Sequence, residues 1–196
     1  MMAIVLAAGR SSRTRGHKAC RRVKGQSWLV RQCHDLRKRG YGPIRVVLGY
    51  SARRVARCVP PGIHRLWHPK ASRGPFSSLQ RGVANTKANV LILPLDVPLP
   101  KVGTLQRLRK ALRHEQAVIP VWRGRGGHPV LLSAALAQGF ARMPLTPTTR
   151  LDLVLRNSPC CRVPTQDRSI LTNLNRSRDW SIYRQNHNLR KSLWMG

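Results

Sequence analysis

Continuous apolar runs separated by helix-like stretches are the feature that most constrains the fold of this chain. Residues 2–8 and 90–95 are apolar almost throughout, which is typical of strands buried on both faces. Residues 44–48, 64–67 and 117–121 predict three more strands. Strands that alternate with helices favour a mostly parallel sheet covered on both sides. We therefore predict an α/β fold, a three-layer sandwich around a Rossmann-like sheet.

Helical periodicity is clearest between the fourth and fifth predicted strands. Val102, Leu105, Leu108 and Leu112 recur at helical spacing, with arginines and a lysine between them, and predict an amphipathic helix with a basic outer face. Further helices are predicted over 28–39 and 77–84. The length of 196 residues suits one domain. We assign residues 1–183 to that domain and 184–196 to a basic C-terminal tail.

The charge is extreme, with 37 Lys and Arg against 6 Asp and Glu and a formal net charge of +31. Such a field attracts polyanions, so nucleic-acid binding through the basic surface is one alternative. The charge is spread along the chain without an arm of like charges, and few aromatic residues are interleaved with it. A solvated basic surface is the interpretation we prefer.

Membrane and redox features bound the functional class further. No apolar run approaches the roughly 18 residues of a membrane span, and residues 1–8 are too short for a signal sequence. We therefore expect a cytoplasmic protein that does not bind membranes. The cysteines form no C-x-x-C pair, so we expect neither zinc nor a disulfide framework, but small residues in or near the core. They are Cys20, Cys33, Cys58, Cys160 and Cys161.

A loop of small and basic residues follows the first predicted strand in the sequence LAAGRSSRTRGHK, residues 6–18. Gly9 allows the backbone to approach a phosphate closely, and successive N–H groups there can bind an anion. Arg13 and Lys18 can neutralise a triphosphate. The Walker pattern is missing from this stretch. The loop is therefore predicted to bind phosphate without being a P-loop.

Asp96 stands at the carboxyl end of the most apolar strand. Ligands of parallel sheets bind beyond that end of the strands, and an unpaired buried charge is costly. A carboxylate in that position is a suitable ligand for a hard cation such as Mg²⁺. Pairing with one of the many arginines is the alternative.

The loop after the first strand resembles the signature L-A-A-G-x-S-x-R-M-G-x-x-K of the MobA-like nucleotidyltransferases. The spacing from the glycine to Ser11, Arg13 and Lys18 is intact. The chain departs from the signature at Thr14, which replaces an apolar residue, and at Arg15, which replaces a glycine.

The resemblance extends from residue 2 to about residue 183. Residues 46–50 (VVLGY) resemble the second strand and turn of the family, and His68 occupies the place of an asparagine before proline. Residues 74–82 (GPFSSLQRG) resemble the segment G-x-x-S-S-L-x-x-G. The hydroxyls of Ser77 and Ser78 are expected to cap a helix N-terminus that faces the nucleotide. Capping alone would also explain both serines.

Three later motifs complete the resemblance. Residues 91–98 (LILPLDVP) match L-x-x-D-x-P, which implies that Asp96 is a metal ligand. Residues 123–130 resemble a G-H-P loop near the second substrate, which implies that Arg125 and His128 contact an acceptor phosphate. A glycine turn with a solvated histidine is the alternative.

Residues 173–179 (NLNRSRD) resemble the asparagine version of D-x-D-T-P-E-D. This implies Asn175, favoured over Asn173, as a second ligand of Mg²⁺. A helix cap is the alternative, and Asp167 is a reserve candidate for the metal.

The resemblance implies a fold of the nucleotide-diphospho-sugar transferase type. It also implies Mg²⁺-dependent transfer of NMP from an NTP to a phosphorylated acceptor, with release of pyrophosphate. The implied catalytic residues are Arg13, Lys18 and Asp96. The implied nucleotide-binding residues are Leu6, Ala7, Ala8, Gly9, Ser11, Arg13, Lys18, Ser77 and Ser78.

The substrates are less closely defined than the reaction. An Ala-Ala-Gly start resembles the cytidylyltransferases that make molybdopterin cytosine dinucleotide, which favours CTP and a molybdopterin acceptor. Guanylyl or sugar-phosphate transfer remains the alternative within the family. A catalytically weak, nucleic-acid-binding module on the same fold is the alternative outside it, and the oligomeric state is open.

Overall fold

The computed structural model describes residues 1–11, 17–146 and 148–192, with side chains as far as residue 185. The strands are β1 Met2–Ala7, β2 Arg22–Val23, β3 Gln26–Ser27, β4 Ile44–Leu48, β5 His64–Trp67, β6 Val90–Pro94, β7 Ala117–Trp122, β8 Arg125–Gly126, β9 Val130–Leu132 and β10 Cys160–Pro164. The helices are α1 Trp28–Lys38, α2 Ala52–Ala56, α3 Pro75–Val83, α4 Val102–Ala111, α5 Ala134–Arg142, α6 Leu151–Arg156 and α7 Ser177–Ser192.

The sheet has eight strands and is, as predicted, mostly parallel. Its order is β10-β7-β9-β6-β1-β4-β5, and β8 pairs with β7. Strand β1 lies in the middle, with Val5 beside Val46 of β4 and Leu93 of β6. Strand β9 is antiparallel to β6 and β7, and interrupts the parallel set. The short strands β2 and β3 form a separate hairpin.

Alternate residues of β1 face two separate apolar layers, as the period of a strand requires. Ala3 and Val5 pack into the layer formed by α1, α2, α4 and α7. Met2 and Ile4 pack into the layer formed by α3, α5 and α6. The predicted three-layer sandwich is therefore confirmed.

Helix boundaries follow the predicted pattern closely. Helix α1 ends at Lys38, one residue before the predicted end, and Gly40 adopts φ +74° beyond it. In α4 the predicted apolar face is buried, except Val102 at the first turn, which is 52% exposed. Helix α7 runs through residue 183, so the division into a domain and a tail stays a prediction. Within the described residues, no helix is long and apolar enough to span a membrane.

Aromatic packing docks α7 against α1. The Trp28 ring meets Trp180 edge-to-face at a centroid distance of 5.3 Å, and Tyr183 at 5.4 Å. Such pairs add to the burial of apolar area. The Asp179 carboxylate accepts hydrogen bonds from the N–H groups of Asn175 and Arg176, at 2.9 and 2.6 Å, in the manner of a capping box. The start of α7 is thereby fixed.

One cysteine prediction is wrong. Cys20 and Cys58 form a disulfide, with their Cα atoms 5.9 Å apart, although 38 residues separate them in the sequence. The 3-10 turn Lys18–Cys20 lies against the end of α2, where Cys20 Sγ is 3.8 Å from the Arg54 carbonyl. Local spacing carries no sign of such a long-range pairing. Cys33 is buried in the core as predicted, and burial raises the pKa of its thiol to about 12.

The Trp28–Trp180 contact gives a stability prediction. Trp180 is 0% exposed, so Trp180→Ala leaves a cavity and should cost about 3–5 kcal/mol in free energy of unfolding. Ile182 lies on the same helix but is 46% exposed, and Ile182→Ala should cost less than about 0.5 kcal/mol. Urea denaturation followed by circular dichroism measures both. Equal losses for the two variants would contradict this docking of α7.

Candidate active site

The carboxyl ends of β1, β4 and β6 meet at one edge of the sheet. The Leu95 N–H donates to the Leu6 carbonyl at 3.1 Å, and the Tyr50 N–H donates to the Ala8 carbonyl at 3.2 Å. A Cβ on Gly49 would lie 2.7 Å from the Ala8 oxygen, so this close approach of the two turns requires glycine. The predicted phosphate-binding loop therefore starts between the turns that follow β4 and β6.

The loop itself is only partly described. Residues 12–16 lie outside the described part of the chain, so Arg13 stays a prediction. Beyond them, the Lys18 N–H donates to Ser11 Oγ at 3.5 Å. His17 Nδ1 accepts from the Ala19 N–H at 3.3 Å and caps the turn that carries Lys18. Burial lowers the pKa of His17, so this cap is neutral near pH 7.

Lys18, Asp96 and Asn175 converge at one point. Lys18 Nζ is 3.0 Å from Asp96 Oδ2 and 2.5 Å from Asn175 Oδ1. These partners lie 78 and 157 residues from the lysine in sequence. The fold thus joins residues from three of the motifs that the sequence singled out, and it directs one carboxylate and one amide oxygen at the same cation.

Three hydrogen bonds from other elements hold the backbone around Asp96. Trp28 Nε1 donates to the Leu95 carbonyl and Gln32 Nε2 to the Val97 carbonyl, each at 2.6 Å. The Leu174 N–H donates to the carbonyl of Asp96 itself at 2.8 Å. Helix α1 and the segment before α7 therefore fix the position of this carboxylate.

The donor set at this point suits Mg²⁺. In proteins this ion takes oxygen ligands, keeps several waters, and is often held by one or two carboxylates plus substrate phosphates. Asp96 and Asn175 supply two oxygens, and no group of three or more His, Cys, Asp or Glu that could hold a metal occurs among the described residues. Asn173 is exposed and its amide donates to the Leu171 carbonyl, which leaves Asn175 better placed.

Asp167, the reserve metal candidate, has a structural role instead. Its carboxylate accepts from the Lys101 N–H at 2.6 Å, from Thr104 Oγ1 at 3.2 Å, and from Ser169 through Oγ at 2.6 Å and N–H at 3.1 Å. Burial raises the pKa of Asp167, but these hydrogen bonds outweigh it and the net pKa lies below the ordinary value. This carboxylate joins the start of α4 to the segment after β10.

A cavity of about 1080 Å³ opens beside Asp96. Leu6, Ala8 and Gly9 line it from β1 and its loop, while Ala7 points into the opposite layer. Most of its lining surface is apolar. Its size and its position at the ends of the strands are typical of a small-molecule site.

The two predicted serines differ in position. Ser78 lines the cavity. Ser77 Oγ donates to the Gly74 carbonyl at 2.7 Å and lies 2.9 Å from His68 Nε2. The capping prediction is wrong, because α3 begins at Pro75 and has no side-chain cap. Ser77 instead connects the start of α3 to His68, the residue that stands in the family's asparagine position.

Of the two residues predicted to contact the acceptor, only His128 lies at the cavity. His128 lines the cavity, and its backbone N–H donates to the Ile170 carbonyl at 2.9 Å. Burial lowers the pKa of His128, and Asp96 opposes this only in part, so the ring is neutral near pH 7. Its Nδ1 has no hydrogen-bond partner among the described residues. Arg125 is exposed on β8 and is not among the described residues that line the cavity.

Three arginines line the cavity on the side formed by α6 and β10, which we call its far wall, and they were missed in the sequence. Arg150 is the N-cap of α6, Arg156 lies at the end of that helix and Arg162 lies on β10, and all three line the cavity. Arg150 pairs with Asp152 at 3.0 Å. Among 37 basic residues, no spacing distinguishes these three, so only the tertiary fold identifies them.

The bonding of Asp167 predicts how stability depends on pH. Its folded pKa lies below the unfolded value of about 3.9, so its contribution is present above that value and is lost as pH falls through the folded pKa. Asp167→Asn should therefore cost about 1–3 kcal/mol at pH 7 and distinctly less near pH 3. Urea denaturation at both pH values measures the difference.

Asp152→Asn is the matched control, since it also removes one carboxylate but from an exposed pair. It should change stability by less than about 1 kcal/mol at either pH. A pH-independent loss for Asp167→Asn would show that its ionised form is not what stabilises the fold.

Comparison with known proteins extends these observations. The profile of the MobA-like NTP transferase domain matches residues 3–159. The bifunctional protein GlmU of Pseudomonas syringae is 34% identical over 116 residues, which are 58% of this chain. The chain spans about a quarter of that relative's length, 26%.

Solved structures show the same fold. A nucleotidyl transferase from Methanothermobacter thermautotroptrophicus gives a TM-score of 0.80 at 22% identity, covering 97% of this chain and 98% of that one. Molybdopterin-guanine dinucleotide biosynthesis protein A from Archaeoglobus fulgidus gives 0.74 at 15%, covering 96% and 99%. The Rv0371c protein of Mycobacterium tuberculosis in complex with manganese gives 0.74 at 18%, covering 94% and 97%.

Proposed function

The chain belongs to the MobA-like NTP transferase family, and we propose that it transfers CMP from CTP to a phosphorylated small-molecule acceptor. The observation that carries this proposal is the convergence of the Asp96 and Asn175 oxygens on the Lys18 ammonium. These three side chains lie beside the cavity of about 1080 Å³, which Gly9 of the phosphate-binding loop also lines. Nucleotidyl transfer requires oxygen ligands for a metal ion, which Asp96 and Asn175 can supply. It also requires positive charge for the phosphates, which Lys18 can supply.

In the proposed reaction, the triphosphate lies against the backbone of Gly9, with Arg13 and Lys18 paired to its phosphates. Asp96 and Asn175 would hold Mg²⁺ in place of their present contacts with Lys18, and the ion would neutralise phosphate charge and polarise the phosphoryl oxygens. An acceptor phosphate oxygen attacks the α-phosphorus, the bond from that phosphorus to the bridging oxygen breaks, and pyrophosphate leaves. The residues act by positioning and charge neutralisation, without a covalent protein intermediate.

The acceptor is proposed to bind between His128 and the arginines of the far wall. Arg150, Arg156 and Arg162 line the same cavity as Asp96. Arg156 and Arg162 can bind phosphate oxygens, while Arg150 is paired with Asp152. A neutral His128 can donate one hydrogen bond without adding charge. This wall supports an acceptor with an anionic group, and molybdopterin is the acceptor we propose.

The preference for CTP rests on Ala8. Ala8 lines the cavity, whereas Ala7 points into the opposite apolar layer, so Ala8 is the residue of this pair that faces the nucleotide site. The family's guanylyltransferases resemble this stretch but carry glycine in that place. We propose that the methyl group of Ala8 narrows the site and favours the smaller pyrimidine ring.

The carboxylate at the centre of the proposal gives the first activity test. Asp96→Asn should lower pyrophosphate release by roughly a thousand-fold or more, because the main cation ligand is lost. Glu115→Gln removes the same single charge outside the site and should retain activity. Pyrophosphate release with Mg²⁺, CTP and molybdopterin measures both variants. Wild-type rates for Asp96→Asn would exclude it as a metal ligand.

A second test addresses substrate choice. Each of the four ribonucleoside triphosphates is incubated with Mg²⁺, with and without molybdopterin, and pyrophosphate is measured. We expect release with CTP that depends on the acceptor, and at least about a tenfold preference over GTP, equal to about 1.4 kcal/mol. Ala8→Gly should reduce this preference. Faster release with GTP would contradict the role of Ala8 while leaving the reaction class intact.

A further inference from the structure

A second cleft, of about 440 Å³, lies between α1 and α4, in the helical layer on the other side of the sheet from the cavity described above. Lys38, Arg39 and Tyr41 line it from the end of α1 and the turn that follows. Val102, Leu105 and Arg109 line it from α4. No residue is shared with the lining of the larger cavity.

The cleft has an excess of positive charge. Lys38, Arg39 and Arg109 form no ion pair with any residue that the structure describes. Asp35 also lines the cleft, but Arg31 lies 3.8 Å from its carboxylate and opposes its charge. A concave site lined mainly by one sign of charge concentrates ions of the opposite sign. The net field here favours an anion.

A buried phenol lies beneath these cations. Tyr41 is 2% exposed, and its hydroxyl has no hydrogen-bond partner among the described residues. The Arg109 guanidinium lies 5.2 Å from the centre of its ring. Burial raises the pKa of Tyr41, although Arg109 and Arg39 oppose the shift, so the hydroxyl keeps its proton and can donate.

We propose that the cleft between α1 and α4 is a second ligand site, which binds a small organic phosphate. Arg39, Arg109 and Lys38 pair with the phosphate, and Tyr41, which also lines the cleft, lies close to the bound anion. The volume exceeds what one phosphate group fills, and Val102 and Leu105 offer apolar contacts to the rest of the molecule. Binding of a phosphate in this cleft does not require that the proposed transfer reaction takes place.

Arg39 gives the site a connection to the segment that follows Asp96. Its Nη1 donates to the Pro100 carbonyl at 3.1 Å, just before α4 begins. The same guanidinium has further N–H groups for a ligand. An anion in the cleft therefore contacts a residue that already holds the loop between β6 and α4.

Fluorine NMR tests the proposal directly, because the chain has only 3 tyrosines. The protein is labelled with 3-fluorotyrosine, and its resonances are assigned with the Tyr41→Phe, Tyr50→Phe and Tyr183→Phe variants. Glycerol 3-phosphate is then added at constant ionic strength. Tyr50 lines the larger cavity, so its resonance separates binding there from binding in the cleft. We expect a saturable shift of the Tyr41 resonance.

A parallel titration with inorganic phosphate distinguishes the two sources of the anion. Tighter binding of glycerol 3-phosphate is the expected result, while equal or tighter binding of inorganic phosphate would overturn the assignment to an organic phosphate. A Tyr41 resonance that does not shift, or that shifts linearly without saturation, in the wild-type protein would overturn the site itself. This titration of the wild-type protein does not depend on how any variant folds.

The double variant Arg39→Gln/Arg109→Gln should weaken the saturable Tyr41 shift at least about tenfold. Arg53→Gln/Arg65→Gln removes the same two charges from exposed positions elsewhere and should leave it unchanged. An unshifted Tyr50 resonance and an unchanged far-ultraviolet circular dichroism spectrum in each ligand-free double variant show that it is folded. Equal weakening in both double variants would mean that net charge, and not this cleft, attracts the anion.

Discussion

The structure depends on how the backbone around Asp96 is held. Trp28 and Gln32 of α1 donate to the carbonyls on either side of it, and the Leu174 N–H donates to its own carbonyl. Side chains on an early helix and backbone near the end of the domain thus meet at the carboxyl end of one central strand. Hydrogen bonds buried in this way cost free energy when they are broken. The carboxylate is therefore presented in a fixed position.

This constraint also determines which residues can join Asp96. The Leu174 N–H binds the Asp96 carbonyl, and this places the next residue, Asn175, within reach of Lys18. Asp179 fixes the start of the helix that follows. The aromatic contact between Trp28 and Trp180 holds that helix against α1, the helix whose side chains also bind the Asp96 segment. The stability of the fold and the geometry of the site thus depend on the same contacts.

Much of the fold and some of the site could be predicted from the sequence. The features that could not be predicted depend on elements too short to show a period or on contacts distant in sequence. Apolar runs predicted strands β1, β4, β5, β6 and β7, because buried strands and amphipathic helices have distinct periods, but they did not predict β10, which pairs in parallel with β7. The short antiparallel strand β9 was missed, since three residues are too few to show a period. Motif spacing identified Lys18, Asp96 and Asn175 separately. Their convergence, the Cys20–Cys58 disulfide and the arginines of the far wall depend on contacts distant in sequence.

We propose above that Asp96 and Asn175 together hold a divalent cation beside the nucleotide. Electron paramagnetic resonance of Mn²⁺, measured with a non-hydrolysable CTP analogue, tests it most directly. The account predicts one Mn²⁺ ion bound per protein–nucleotide complex, with affinity at least about tenfold weaker in Asp96→Asn and clearly weaker in Asn175→Leu. Mn²⁺ affinity unchanged in both variants, with the analogue still bound, would contradict it.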